Sequence, residues 1–199
     1  MTTTINDLPD KIKTLESELI DEIQNQQDTS SYQIQQKKVC FENSVIQQHK
    51  QHLQRLLDYF KTAPIQHILS APIIWSVLFP TILFDIFVSL YHSICFPIYG
   101  IPKVKRSNYI VFDRHYLNYL NIVEKINCAY CSYFNGLIAF TQEIAARTEQ
   151  FWCPIKHARR ISTLHSRYQH FLDYGDAIAY RQNKEKIRKQ FDDINEQNP

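Results

Sequence analysis

Three patterns of apolar and polar positions divide the 199-residue chain. Near the N-terminus Leu8, Ile12, Leu15, Leu19 and Ile23 recur at intervals of three and four, which lays one apolar stripe along a helix. Asn6 or Asp7 stands where a cap is needed, and Pro9 suits a first turn. The polar run Asn25-Gln26-Gln27-Asp28-Thr29-Ser30-Ser31 then breaks the pattern. A second helix is expected over 33–61, with Val39, Val45, Ile46, Leu53, Leu56, Leu57 and Phe60 as its apolar positions. Residues 1–66 thus predict a helical hairpin or a short coiled coil, a place for a protein partner or a second copy of the chain. The stripe runs for only about two heptads, and packing within the chain would use it equally well.

The second pattern, over 67–102, is almost wholly apolar. From Ile68 to Ile101 there is no Lys, Arg or Glu. A bilayer span needs about 20 apolar residues, so the length suffices. Between Val77 and Cys95 stand eleven Val, Leu, Ile or Phe residues, which favour insertion by about 3–7 kcal/mol. Asp85 near the centre opposes it by about 2.5–3.5 kcal/mol, and Pro80 and His92 add to that cost. Three arrangements fit this balance: a single span, a re-entrant hairpin broken near Pro80, and a hydrophobic helix docked on a partner. A buried core helix of a soluble protein is the alternative. Trp75, Tyr91 and Tyr99 suit the interfaces. Lys50, Arg55 and Lys61 precede the segment and Lys103, Lys105, Arg106 and Arg114 follow it, a symmetry that suits a hairpin with both ends in the cytoplasm. Asp85 and His92 lie seven apart, close to one helical face. They read as an ion or proton relay or as polar contacts to a partner helix; failing that, Asp85 is protonated or snorkels and His92 sits at the interface.

The third pattern mixes polar and apolar positions over 103–180, with a charged tail over 181–199. Asp113 is placed to cap a helix carrying Leu117, Leu120, Ile122 and Val123, and a longer helix is expected from 127 to 150, ending before Cys153-Pro154. A further helix is expected over 155–172, with Ile155, Ala158, Ile161 and Leu164 on its face. Tyr174-Gly175-Asp176 reads as a turn and the tail from Tyr180 as a frayed helix. The sum is an all-α chain: an N-terminal helical hairpin, a hydrophobic membrane segment and a helical Cys/His domain.

Composition narrows the function. With 3 glycines the chain has no G-x-G-x-x-G or Walker-type loop, which disfavours nucleotide binding. A net charge of +2 implies no pull toward nucleic acid. The basic residues Arg147, Lys156, Arg159, Arg160 and Arg167 read as a solvated helix face, with contact to a phosphate or lipid headgroup as the alternative. Glu143 and Arg147, four apart, read as a surface helix pair. Five cysteines, an odd and scattered set, suit reduced thiols better than a disulfide framework. The first 60 residues are polar, so no cleavable signal is expected, and the cysteine-bearing part is expected in the cytoplasm, on a membrane lipid surface.

The candidate chemistry is a pair of pairs. Cys128-x-x-Cys131 is followed, 21 residues on, by Cys153-x-x-x-His157. Three thiolates and an imidazole could close a tetrahedron about zinc, and thiolates with one His also suit iron or an iron–sulfur cluster. Glu124, in phase with Cys128 and Cys131 on a helical face, could be a further ligand or orient one. The rival readings are a redox dithiol of Cys128 and Cys131, which would need a low thiol pKa, and ordinary core cysteines. No H-E-x-x-H, E-x-x-H or G-x-S-x-G is present, so enzyme status stays open between a non-enzymatic metalloprotein serving as an adaptor or assembly factor, a membrane-bound thiol or iron enzyme, and a protein of metal transport or assembly.

The segment Asn127-Cys-Ala-Tyr-Cys-Ser-Tyr-Phe-Asn135 resembles the C-x-x-C-x-x-x-H helix of the alkylhydroperoxidase D-like families, with Asn135 in the position of the His. That resemblance covers about 20 residues and implies dithiol peroxide chemistry, for which His157 would have to supply the base. Longer phrases are similar to a family of membrane-associated proteobacterial proteins: Phe96-Pro-Ile-Tyr-Gly-Ile-Pro-Lys-Val-Lys-Arg106, Phe112-Asp-Arg-His115, Glu124-Lys-Ile-Asn-Cys-Ala-Tyr-Cys131, Arg147-Thr-Glu-Gln-Phe-Trp-Cys-Pro-Ile-Lys-His157 and Phe171-Leu-Asp-Tyr-Gly-Asp176. This second resemblance implies a bacterial inner-membrane setting and carries no activity with it.

Overall fold

The computed structural model describes residues 8–28, 32–35 and 38–194 of the chain, and the fold is all-α. Contacts group the chain into two units, Met1–Phe60 with Asp113–Lys125, and Lys61–Phe112 with Ile126–Pro199. The apolar segment therefore folds with the cysteine-bearing region and is not a separate piece.

In the first unit, helix α1 (Leu8–Asp28) follows the leucine–isoleucine stripe and runs through the start of the expected break. The expected cap at Asn6 or Asp7 lies outside the described residues, as do Thr29, Ser30 and Ser31. Ile12, Leu15, Leu19 and Ile23 are all exposed. The single helix expected over 33–61 does not form. A two-stranded antiparallel ribbon, β1 (Tyr32–Gln35) and β2 (Lys38–Phe41), pairs Tyr32 with Phe41 and Ile34 with Val39. Helices α2 (Asn43–Gln51) and α3 (Leu56–Thr62) follow. The reason is local: Tyr32-Gln-Ile-Gln35 alternates with period two, and Tyr, Ile, Val and Phe favour a pleated surface over a helix.

In the second unit, α4 (Ile65–Ser76) and α5 (Leu78–Tyr99) form almost one rod. The break is at Val77, which keeps right-handed helical angles (φ −65°, ψ −22°). Pro80 explains it, since it has no N–H for the Ser76 carbonyl and its ring crowds that carbonyl. The rod continues past the break and does not re-enter as a hairpin. Gly100 then ends α5 at φ +66°, with Ile101 N–H bonded back to the Phe96 carbonyl at 2.9 Å, a glycine-dependent helix stop with Pro102 just beyond.

From Ile101 the chain doubles back as an irregular return leg. Val104 N–H reaches His92 on α5, and Arg106 reaches Asp85 a further two turns down. Helix α6 (Ile122–Trp152) then runs in the same sense as α5: Tyr133 meets Asp85, Phe140 meets His92 and Phe151 meets Tyr99. The return leg is clasped by both helices. The core forms here, from Phe96, Ile101, Val104, Leu137, Phe140, Ile144, Phe151 and Phe191.

Gly136 is the closest crossing. A Cβ at this position would lie 2.5 Å from the Tyr109 carbonyl oxygen and 2.9 Å from Ile110 Cα, both backbone atoms. Gly136→Ala should cost about 1–3 kcal/mol through forced backbone displacement, despite the helix propensity it adds. A urea melt in which the alanine variant is as stable as the parent would refute this packing.

Beyond α6 the helix expected over 155–172 is absent. The chain is extended at Ile155, which bridges Leu172 in parallel, and only Tyr168–His170 forms a single 3-10 turn. Pro154 keeps α6 from continuing, and the backbone beyond it is bonded to Leu172: Lys156 N–H donates to the Leu172 carbonyl at 2.7 Å and Leu172 N–H to the Pro154 carbonyl at 2.9 Å. Asp176 then caps α7 (Ala177–Ile187), accepting from Ala179 N–H at 2.8 Å.

Candidate functional site

The two polar residues of the apolar segment meet partners within the chain. The Asp85 carboxylate accepts both Arg106 Nη1 at 2.6 Å and Nη2 at 2.7 Å, a bidentate fork. Tyr133 Oη donates to the same group at 2.7 Å and Ser89 Oγ at 3.0 Å. Four donors thus occupy a carboxylate whose side chain is 14% exposed. The fork raises the Arg106 pKa. Burial, then the Asp85 bond, pushes the Tyr133 hydroxyl up to about 12, so it stays protonated and donates. Two turns along α5 from Asp85, His92 Nε2 accepts Val104 N–H at 2.9 Å, with its ring edge-on to Phe96 and Phe140. The partner for which Asp85 and His92 are matched is the chain's own return leg and α6. With its lone pairs filled, the cluster clamps the return leg onto α5.

A second buried network continues along the inner face of α6. Arg147, 1% exposed, donates Nε to Glu143 Oε1 at 2.7 Å and Nη1 to the Pro102 carbonyl at 2.9 Å. Ser166 Oγ donates to the other Glu143 oxygen at 2.6 Å. Gln150 Nε2 bonds the Ile187 carbonyl at 2.9 Å, while its oxygen receives Arg167 Nε at 2.5 Å, and Arg167 forks onto Asp193 at 2.7 and 2.9 Å. Burial pushes the Asp193 carboxyl up, but the Arg167 fork outweighs it and holds the group below the usual carboxylate range. Glu143 and Arg147, expected as a surface pair, are a buried one, and Arg147 and Arg167 leave the expected solvated basic face. Arg159 and Arg160 remain exposed. The signal was present: Glu143, Arg147 and Gln150 fall in phase with Phe140, Ile144 and Phe151, inside the apolar stripe.

The thiol pairs do not meet. Cys128 and Cys131 lie near the start of α6 and Cys153 one residue past its end. The 22 residues from Cys131 to Cys153 make a rod of about 33 Å, whereas ligands of one zinc lie about 2.0–2.3 Å from it. Among the described residues no group of three or more His, Cys, Asp or Glu side chains is placed to hold a metal ion. The expected four-ligand arrangement of Cys128, Cys131, Cys153 and His157 does not form among the described residues, because one continuous helix separates its halves. His157 is exposed, its ring nearly parallel to that of Tyr168, on a segment outside any helix. It cannot serve as a base for Cys128 or Cys131, which lie at the far end of the helix. Burial, and then the Glu149 charge, raises the Cys153 thiol pKa, the opposite of what a reactive thiolate needs.

Glu124 has another task. Its Oε2 accepts Asn121 N–H at 2.8 Å, and Asn121 Oδ1 accepts Glu124 N–H at 3.0 Å. This reciprocal box starts α6 and occupies the carboxylate expected near the thiols. Asn135 donates to the Cys131 carbonyl at 3.0 Å.

The outer surface of the rod is the other functional feature. Among the described residues one helical stretch, Ile65–Tyr99, is long and apolar enough to cross a membrane, and only 11% of its most apolar window is buried. Phe79, Phe87 and Ile98 are 76%, 62% and 71% exposed. A core helix of a soluble domain would hide these side chains. No protein-family profile, curated protein or solved structure matches the chain.

Proposed function

We propose that this is a membrane-associated helical protein of the bacterial inner membrane that serves as an adaptor or assembly factor, with its cysteine-bearing region in the cytoplasm. The observation that carries the reading is the inverted polarity of α5. Its polar residues Thr81, Asp85, Ser89 and His92 turn inward, while Phe79, Leu83, Ile86, Phe87, Leu90 and Ile94 turn outward. In water such a surface is costly; in lipid it is the expected polarity, since polar groups within a membrane face protein. Five free cysteines suit a reducing compartment. The exposed stripe of α1 offers a helix face for a protein partner or a second copy.

The experiment is fractionation of the full chain. It should stay with membranes through a high-salt wash and be released by detergent. Recovery in the soluble fraction, before or after the salt wash, would defeat the reading.

A second reading concerns the dithiol alone. Cys128 and Cys131 sit three apart on one turn of α6, with Cys131 exposed, so an oxidised pair could form locally without Cys153 or His157.

A further inference from the structure

We infer that α5 lies in the plane of one leaflet, as a one-sided anchor, and does not cross the bilayer. The inference rests on the membrane reading above and adds its geometry and its partner, a lipid monolayer.

The return leg decides between the two. A spanning α5 would carry its neighbours through the hydrocarbon at the same depth. Val104 is bonded at the level of His92 and Arg106 at the level of Asp85. By the rise of a helix these levels lie about 10 Å and about 21 Å from the Tyr99 end, so the leg would cross the middle of a layer about 30 Å thick. That leg is irregular in backbone, and Lys103, Lys105, Ser107 and Asn108 on it are exposed. Lipid-exposed irregular backbone does not occur in the hydrocarbon, because its N–H and C=O groups have no partners there. The exposed lysines make the placement worse.

Lying flat removes the conflict. On a helical projection, Thr81, Asp85, Ser89 and His92 fall in one arc, against the return leg and α6. The opposite arc holds Phe79, Leu83, Ile86, Phe87, Leu90 and Ile94, all exposed. Ser93 is the one polar residue among them. A flat helix would seat this arc about 5–10 Å into the headgroup–acyl boundary and leave the return leg outside the hydrocarbon. Half-exposed rings suited to that boundary flank the two ends of α5, Trp75 just before it and Trp152 beside its last residue. Trp75 packs on Tyr130 at 5.2 Å and Trp152 on Tyr99 at 5.3 Å. The exposed lysines beside the rod match anionic headgroups. A protein partner would instead need a matching apolar stripe along the whole rod.

The test uses the full chain and vesicles containing anionic lipid. Flotation of the parent protein comes first. Single-tryptophan variants then report depth: Phe79→Trp, Phe87→Trp and Ile98→Trp, each in a Trp75→Phe, Trp152→Phe background. All three sites are exposed, so the folded unit tolerates them. Fluorescence is quenched with lipids brominated near the headgroup or near the chain end. The expected result is flotation with all three tryptophans quenched more strongly by the headgroup-proximal bromines, and to a similar degree. Strongest quenching of the Phe87→Trp variant by the chain-end bromines, with the other two shallow, would mean a span and overturn the inference while keeping the membrane reading. Failure of the parent to float, with a dimer or larger species in light scattering, would mean that protein covers the face and would overturn both.

Discussion

Arg147→Ala should destabilise the second unit by about 3–5 kcal/mol, the cost of breaking a buried ion pair from one side. The guanidinium is 1% exposed, and its removal strands Glu143 without a counter-charge and leaves the Pro102 carbonyl without its donor. Domains of this size have about 5–15 kcal/mol in total, so the variant should show a sharply lowered urea midpoint or accumulate as insoluble protein. Arg147→Lys should fall between, because a lysine keeps the charge but cannot bond Glu143 and the return-leg carbonyl as a planar fork. A double change of Glu143 and Arg147 to Met should recover stability relative to the single alanine variant, since it leaves no lone charge inside. A midpoint for Arg147→Ala within about 0.5 kcal/mol of the parent, the range of ordinary surface changes, would mean that the pair is solvated after all.

The second large effect concerns binding. Replacing Phe79, Ile86, Phe87 and Leu90 together by Ser should lower the membrane partition coefficient by about two to four orders of magnitude. Fully burying one such side chain is worth about 1.5–3 kcal/mol. At half that depth, four of them contribute about 3–6 kcal/mol, and each 1.4 kcal/mol is tenfold. These residues stand outside the buried core, so the far-ultraviolet circular dichroism of the variant should match the parent. A variant that still co-floats with vesicles as the parent does would place the membrane contact elsewhere.

What the sequence made legible followed short-range periodicity. The stripe of α1, the long helix through Asn127 to Gln150 and the shared face of Asp85 and His92 all depend on spacings of three and four. The partners of those two residues were not legible: Arg106 and Tyr133 lie 21 and 48 positions from Asp85, and only the reversal at Gly100 brings the first of them alongside. Gln-rich polarity concealed the period-two alternation at Tyr32–Gln35. The cysteine site failed for a related reason. Ligand spacing constrains a site only if the intervening chain can fold back, and a continuous helix between the pairs forbids it.

The Asp85 clamp also bears on how this chain can vary. A carboxylate bonded by one guanidinium and two hydroxyls is balanced only while Arg106 is present, and losing Arg106 alone leaves a charge that is 14% exposed against the α6 core without its counter-ion. The cost of a change at position 106 therefore depends on what stands at 85, and a neutral pair at both positions should cost less than the loss of Arg106 alone. The outward residues of α5 stand outside the buried core, so exchange among apolar types there should leave the stability of the fold nearly unchanged.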